Sequence, residues 1–455
     1  MKIKQRSEKQ LSKNVRWQAL KLIHQIEYEN QYSNVLIDQT LQHTHLNELD
    51  QKLLVQLVYG VVQRRLTLDY YLEPYLKGKK IDTWIASLFR LSIYQLLFLN
   101  KVPDHAVLNE AVEIAKTNGH GGLGKFVNAI LRQFNRQPLR ELPDKAMAFY
   151  DYLSIQYSMP LWLVEQLSHW LGDQSDQLES LLKSLLETPH LSARVIANID
   201  QRQEIQQQLQ TEQVITEPSK VSPYGLIVQS GDLIHSNVFK EGRVTIQDES
   251  SMLVAPLGKL TGAEQILDAC SAPGGKATHI AQLLTTGHLT ALDLSSHKLK
   301  KVDQHLQRMG LSEKVTTQQA DASKFLPKNN ALYDTIYLDA PCSGLGLMRR
   351  KPEIKYEKQA QDLVELAKIQ AELLNHVASL LKPGGVLVYS TCTLAPIENE
   401  QIVDQFLATH ADFQLDPIQP TELLPADLLN SAGQIRVWPH QYHTDGFFIS
   451  RFVKK

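Results

Sequence analysis

The residues able to do covalent chemistry are few, and they sit in short, distinctive surroundings. The 455-residue chain holds three cysteines, Cys270, Cys342 and Cys392. Cys342 lies in Asp339-Ala340-Pro341-Cys342-Ser343-Gly344, and Cys392 in Ser390-Thr391-Cys392-Thr393. Each run follows an apolar, β-prone segment, so both thiols are expected at the ends of strands. A thiolate released by a depressed pKa or a nearby base is a strong nucleophile. Two of them at one sheet edge can divide a reaction, one adding to an electron-poor carbon and the other helping the adduct to resolve. The sequence leaves open which does which. Cys270 stands inside a glycine-containing turn, where a cysteine reads as a small, inert apolar residue.

Four strand-like segments end in an acid: Asp268, Asp293, Asp321 and Asp339. One such acid is an ordinary helix cap, whereas four at one edge of a parallel sheet mark a ligand crevice. The first is followed by Cys270-Ser271-Ala272-Pro273-Gly274-Gly275-Lys276, a turn whose glycines admit a close backbone approach before a helix. Asp293 follows Gly275 by 18 residues, the usual interval to an acid that binds ribose hydroxyls, and Asp321 falls where an adenine would lie. Neither GxxxxGK[ST] nor GxGxxG is present, so S-adenosylmethionine fits better than ATP or NAD. With that methyl donor, a thiolate that adds to C6 of cytosine turns C5 into a nucleophile for the methyl group. Asp339 is placed to hold N3 and the amino group. A base must leave its stack to reach such a site, which suits structured RNA.

These residues need a sheet behind them. From residue 265 onward the pattern alternates strands (265–269, 288–294, 314–320, 333–338, 386–390) with helices (296–309, 359–381), which predicts a parallel sheet covered on both faces. Segments 413–415 and 447–453 are expected to close its edge as a hairpin. Residues 1–140 read instead as helices, at 15–28, 50–62, 82–99, 108–116 and 125–134, from their 3.6-residue apolar period. Between lies a Pro-containing linker and a mixed stretch, so the expected domains are 1–140, 141–240 and 241–455, the last α/β and Rossmann-like.

Composition excludes little. The formal net charge is −2, so contacts to a polyanion must come from local clusters. Arg349, Arg350 and Lys351 beside the Cys342 loop are read as phosphate contacts, as are Lys77, Lys79 and Lys80 in the helical part. Lys298, Lys300 and Lys301 read as a solvated helix face. The cluster of Lys2, Lys4, Arg6, Lys9, Lys13 and Arg16 begins as a solvated tail with no apolar run after it, so no secretory signal is expected. The apolar stretch 85–99 is too short for a membrane span. Unpaired cysteines without a CxxC suggest the reducing cytoplasm. His440 and His443 have metal-like spacing but no third ligand, so no metal is expected.

The segments 268–276, 339–344, 390–393 and Asp445-Gly446-Phe447-Phe448 resemble the motifs of the NOL1/NOP2/Sun family of RNA cytosine-C5 methyltransferases. Gly242 and Gln247-Asp248-Glu249-Ser250 are similar to the segment ahead of that family's catalytic domain. The resemblance implies that Cys392 is the nucleophile and that Cys342 aids release. It also implies that Cys270 through Lys276, Asp293, Asp321 and Asp339 bind S-adenosyl-L-methionine. Segments 14–22 and 125–132 resemble an RNA-binding NusB-like domain, which points to the branch acting on cytosine 967 of 16S rRNA. A monomer is expected. Ser271, Ala277, Leu345 and Lys351 depart from the family's commonest residues. Competing expectations are a tRNA or other rRNA target, a non-catalytic RNA-binding assembly or antitermination factor, and, disfavoured by the missing fingerprint, a nicotinamide oxidoreductase.

Overall fold

The computed structural model describes residues 9–43, 46–196, 199–420 and 424–455. Lys2, Lys4 and Arg6 of the N-terminal cluster lie outside these. The chain divides into two compact units, Met1–Leu186 with Arg350–Glu357, and Glu187–Arg349 with Lys358–Lys455.

The first unit is helical. α1 (Val15–Glu29), α2 (Ser33–His43), α3 (Glu48–Gln63), α4 (Arg65–Leu76), α5 (Thr83–Phe98), α6 (Asp104–Asn118) and α7 (Gly121–Arg136) come first. α8 (Phe149–Gln156), α9 (Leu161–Trp170) and α10 (Ser175–Ser184) follow. α1 and α3 start where Asn14 and Asn47 accept from the backbone N–H groups of Trp17 and Asp50. α5 buries Trp84, Ile85, Leu88, Phe89, Leu91 and Ile93, on more than one face, which explains its apolar sequence. α2 and α4 were not legible as helices. α2 buries only Ser33 and Ile37, and α4 carries Pro74.

Residues up to Leu186 lie in the helical unit, and residues 191–246 build a small sheet with its own buried cluster. Thr67 donates to the Ile155 carbonyl at 2.5 Å, and the Leu66 N–H donates to Ser158 Oγ at 2.9 Å. These bonds bind α8 and the turn after it to α4, so the boundary falls after Leu186. Segment 350–357 is held by helix ends in the same unit. Glu353 accepts from the N–H and hydroxyl of Ser33 at the start of α2, and Lys355 donates to the Gln63 carbonyl at the end of α3, at 2.8 Å.

The second unit contains two sheets. Strands β1 (Leu191–Val195), β2 (Ile215–Pro218), β3 (Gly225–Ser230) and β4 (Val244–Ile246) form an antiparallel sheet in the order β2-β3-β1-β4, with α11 (Arg202–Thr211) between β1 and β2 in sequence. The large sheet has β5 (Gln265–Asp268), β6 (His288–Asp293), β7 (Val315–Gln319), β8 (Tyr333–Asp339), β9 (Leu381–Thr391), β10 (Phe413–Leu415), β11 (Ile435–Val437) and β12 (Phe447–Lys454). Its order is β10-β12-β9-β8-β5-β6-β7, with β11 also on β12. β5 to β9 are parallel. β10 and β12 do pair antiparallel, but β11 intervenes in sequence and pairs β12 as well, so they are not a simple hairpin. α12 (Gly275–Leu283), α13 (Ser296–Arg308), α14 (Ala360–Ser379) and α15 (Glu400–Thr409) connect the strands. Two buried clusters follow, one containing Ile266, Ile280, Val302 and Val388, the other Leu267, Leu338, Leu374 and Phe406. Adjacent residues of β5, Ile266 and Leu267, feed different clusters, as a sheet covered on both faces requires.

Arg90 on α5 is the charged centre of the helical unit. Its Nη1 meets Glu27 at 2.8 Å and its Nε meets Asp69 at 2.6 Å, and the Glu27 side chain is 1% exposed. Arg90→Ala removes the cation from that buried carboxylate and leaves the Ser87 hydroxyl on it at 2.7 Å. The free energy of opening α5, read from native-state hydrogen exchange, should fall by about 3 kcal/mol. A fall below about 1 kcal/mol would mean that Glu27 is readily resolvated.

Candidate active site

β5 lies between β6 and β8, and the chain leaves it first toward β6 and β7, then toward β8 and β9. The crevice beyond the carboxyl ends at this switch is where such sheets bind ligands. Asp268, Asp293, Asp339 and Thr391 end β5, β6, β8 and β9, and Asp321 follows β7. The turn after β5 is pinned to β6 by the Ser271 N–H on the Leu292 carbonyl at 2.7 Å. Gly274 has φ 105°, and a Cβ there would sit 3.1 Å from the Val302 Cα. Only glycine suits that conformation and that approach. α12 starts directly after it, and no side chain caps its N-terminus.

The acids differ in state. Asp293 accepts from the N–H groups of Ala272 at 3.3 Å and Ser295 at 2.8 Å. Asp321 accepts from Ser323, through hydroxyl and N–H, which holds its carboxyl below the usual range. Asp268 is 1% exposed, and neither carboxylate oxygen has a hydrogen-bond partner. Burial, with Asp339 adding to it, pushes this carboxyl up to about 7. The nearby Ser271 hydroxyl, which donates to the Asp268 carbonyl at 3.3 Å, opposes that rise only in part. Burial and then the charges of Asp268, Asp339, Asp293 and Asp321 push the Cys270 thiol up, so all four acids bear on one place. Lys276 offsets this field only in part, and a further cation there would favour the ionised carboxylate. S-adenosylmethionine carries a sulfonium and an ammonium, and the residues present fit it.

Asp339 is bound on both oxygens, Oδ2 by Lys276 Nζ at 2.7 Å and Oδ1 by Ser390 Oγ at 2.9 Å. Burial acts to lower the Lys276 pKa, but Asp339, Cys392 and Asp268 outweigh it and raise the value, so Lys276 stays charged. Its Nζ also lies 4.9 Å from the ring centre of Phe447.

Beyond Asp339 and Ser390 the two thiols meet, with Cys342 Sγ and Cys392 Sγ 3.3 Å apart, both half-buried and unbridged. The contact with Cys392, then burial, holds Cys342 well above the ordinary thiol range. Cys342 therefore resists ionisation. One carboxylate braces both loops. Glu398 accepts from the Ser343 N–H at 2.8 Å and hydroxyl at 2.5 Å, from Thr393 Oγ1 at 3.1 Å and from Gln370 Nε2 at 2.9 Å. Gly346 completes the join, its N–H on the Cys392 carbonyl and its own carbonyl accepting from Gly446, both at 3.0 Å. A Cβ on Gly346 would fall 2.0 Å from the Gly446 oxygen. Asp248 ties in the segment before the domain by accepting from Thr444 Oγ1 at 2.5 Å and the Ser250 N–H at 3.0 Å.

Sequence reasoning missed Glu398, Gln370 and Gly346. The one signal was an acid six residues after Cys392, which also reads as a helix start.

The basic residues separate. Arg349 is 3% exposed and donates to the carbonyls of Thr444 at 2.6 Å and Pro439 at 3.2 Å, so it braces the catalytic unit rather than facing phosphates. Arg350 and Lys351 are half-buried in the helical unit, Lys351 5.4 Å from the Tyr32 ring centre. Lys77, Lys79 and Lys80 are exposed after α4. Lys298, Lys300 and Lys301 lie outward on α13, whose Leu299 and Val302 are buried. Of the N-terminal cluster, Lys9 and Lys13 are exposed while Arg16 donates to Gln95 at 2.7 Å. His443 meets Glu187 at 3.1 Å. Among the described residues no group of three His, Cys, Asp or Glu could hold a metal, and no helix is long and apolar enough to cross a membrane.

A family model described as 16S rRNA methyltransferase RsmB/F matches residues 257–453, and that of the NusB family matches residues 13–136. The chain is 37% identical to the "Probable ribosomal RNA small subunit methyltransferase B" of Bacillus subtilis (strain 168), over 97% of this chain and 99% of that one. The chain belongs to the RsmB/F family. It is also 30% identical to the ribosomal RNA small subunit methyltransferase B of Photorhabdus laumondii, over 97% and 99% of the two chains. The crystal structure of PH0851 shares the fold, with a TM-score of 0.81 at 24% identity over 97% of this chain and 98% of that one. NSun6 from Pyrococcus horikoshii, solved with SFG, matches with a TM-score of 0.56 at 24% identity, over 65% and 98%. As a member of RsmB/F the chain is a methyltransferase with a helical NusB domain ahead of an α/β catalytic domain, and its methyl donor is S-adenosylmethionine.

Two tests follow from this geometry. Asp268 has a folded-state pKa raised to about 7 from 3.8. Between those values the folded protein binds more protons than the unfolded one, so this group's contribution to stability falls as pH rises. A cation beside it favours ionisation, so affinity for S-adenosylmethionine should rise between about pH 6 and 8, with release of a proton. Calorimetry in buffers of different ionisation enthalpy reads this, and Asp268→Asn should flatten the pH dependence. Gly346→Ala should lower kcat by about 100-fold through misplaced thiols, while S-adenosylmethionine still binds in calorimetry.

Proposed function

We propose that this methyltransferase modifies carbon 5 of a cytosine in 16S rRNA, at cytosine 967, through a covalent adduct between Cys392 and C6. The 3.3 Å thiol pair beside Asp339 carries the reading. The names of the relatives, small-subunit ribosomal RNA methyltransferases, support the substrate class.

The Cys392 thiolate adds to C6, and the C5=C6 double bond becomes an enamine with electron density on C5. Asp339, held between Lys276 and Ser390, is an acceptor for the exocyclic amino group and orients the ring. S-adenosylmethionine supplies the electrophilic methyl. C5 then carries both methyl and hydrogen. Cys342 gives its proton to the departing Cys392 sulfur, and the Cys342 thiolate so formed takes the C5 proton as the C6–S bond breaks and the double bond returns. Both thiols end protonated, and Cys392 loses its proton to solvent before the next turnover. Lys77, Lys79 and Lys80 are the exposed cations suited to the phosphates of the rRNA.

Incubation of 16S rRNA transcript with tritiated S-adenosylmethionine tests the reading. Wild type should place label at C5. Cys392→Ala should abolish transfer, and Cys342→Ala should accumulate an SDS-resistant protein–RNA adduct. Label on tRNA but not on 16S rRNA would overturn the substrate. Tight RNA binding with no label on either would favour a non-catalytic assembly factor.

A further inference from the structure

Arg194, on β1 of the small sheet, is fully buried. Its Nη1 donates to Gln247 Oε1 at 2.6 Å and to the Gly275 carbonyl at 2.7 Å, and its Nη2 donates to Thr278 Oγ1 at 3.0 Å. Its Nε has no partner, and no carboxylate binds the guanidinium, among the described residues. Burial lowers its pKa to about 9. A buried cation without an anion costs stability, so its retention needs a reason.

The reason lies in what Arg194 does to Gln247. A guanidinium has donors only, so the Gln247 amide must turn its oxygen toward Arg194 and its NH2 away. Gln247 is 8% exposed, and its Nε2 has no hydrogen-bond partner. That nitrogen is the nearest atom, at 3.4 Å, to where a side chain on Gly275 would sit. An orphaned buried donor costs about 1–3 kcal/mol, so this amide awaits an acceptor. The uncapped start of α12 adds free N–H groups at the same glycine. The donors beside Gly275 therefore favour an anion, whereas the acids that bear on Cys270 favour a cation. The amino-acid end of S-adenosylmethionine carries one of each.

We propose that Gln247 is a cofactor-binding residue that donates to the carboxylate of S-adenosylmethionine, and that Arg194 is the positioning residue that fixes its amide in the donor orientation. The hydroxyl of Thr278 and the Gly275 carbonyl lock the guanidinium to the same helical turn, so the donor and the glycine turn move as one body.

The test compares S-adenosylmethionine with its decarboxylated form, which keeps the sulfonium and the amine but lacks the carboxylate. Binding to the full-length protein is measured by calorimetry, and folding is checked by the melting transition. Gln247→Leu should weaken S-adenosylmethionine about tenfold and leave the decarboxylated ligand within about twofold. Gln247→Glu keeps the contact with Arg194 but replaces the donor by a carboxylate. It should weaken S-adenosylmethionine further and spare the decarboxylated ligand, and it decides the matter if the leucine variant does not fold. Arg194→Met should shift the same ratio in the same direction, and Arg194→Lys should restore part of it. Unchanged affinity for S-adenosylmethionine in both Gln247 variants, or equal loss of both ligands, would overturn the proposal.

Discussion

The registered pairing of β8 with β9 is the constraint on which the catalytic unit depends. Asp339 stands opposite Ser390 in this parallel pair, and the two side chains are bonded at 2.9 Å. From that rung the chains run on to Cys342 and Cys392, and the sulfurs arrive 3.3 Å apart. A slip of one residue would send alternate side chains to the other face and part the thiols. The loops beyond the strands cannot hold this by hydrophobic burial alone, because they must stay open to a substrate. They are held by a buried carboxylate, Glu398, and by two glycines, Gly346 and Gly446, at backbone contact. Rigid bracing behind exposed chemistry is what preorganised catalysis needs.

The charge pattern is equally economical. Four acids gather at the carboxyl edge of the sheet, yet only Asp268 is left without a partner on its carboxylate. Asp293 and Asp321 are satisfied by the backbone that follows them, and Asp339 by Lys276 and Ser390. Lys276 links the glycine turn to the carboxylate that ends β8, so the turn and the thiol-bearing edge share one ion pair.

Much of this was legible in the sequence. Strands ending in acids, a glycine turn before a helix, and thiols at strand ends are local patterns, and the structure sets β5 to β9 within a few residues of their expected positions. The exception is β9, which begins at Leu381 rather than 386, because pairing with Tyr333 of β8 carries it across Pro383, Gly384 and Gly385. What could not be read was contact between distant segments. Arg349 looked like a phosphate contact because three cations adjoin, but its side chain turns inward to the Thr444 carbonyl, 95 residues away. α2 and α4 lacked a clean apolar stripe. Residues 141–186 joined the helical unit through polar contacts with α4, which no periodicity encodes.

The central proposal is that the two thiols work as a pair in which Cys392 is the nucleophile and Cys342, held high by the contact and by burial, resolves the adduct. Timed alkylation with iodoacetamide at about pH 8, near the ordinary thiol range, tests this without RNA or cofactor, with each cysteine followed by mass spectrometry. The account predicts that Cys392 reacts well before Cys342 and Cys270, whose thiols are both pushed up. Reaction of Cys342 first, or equal rates at both, would contradict it.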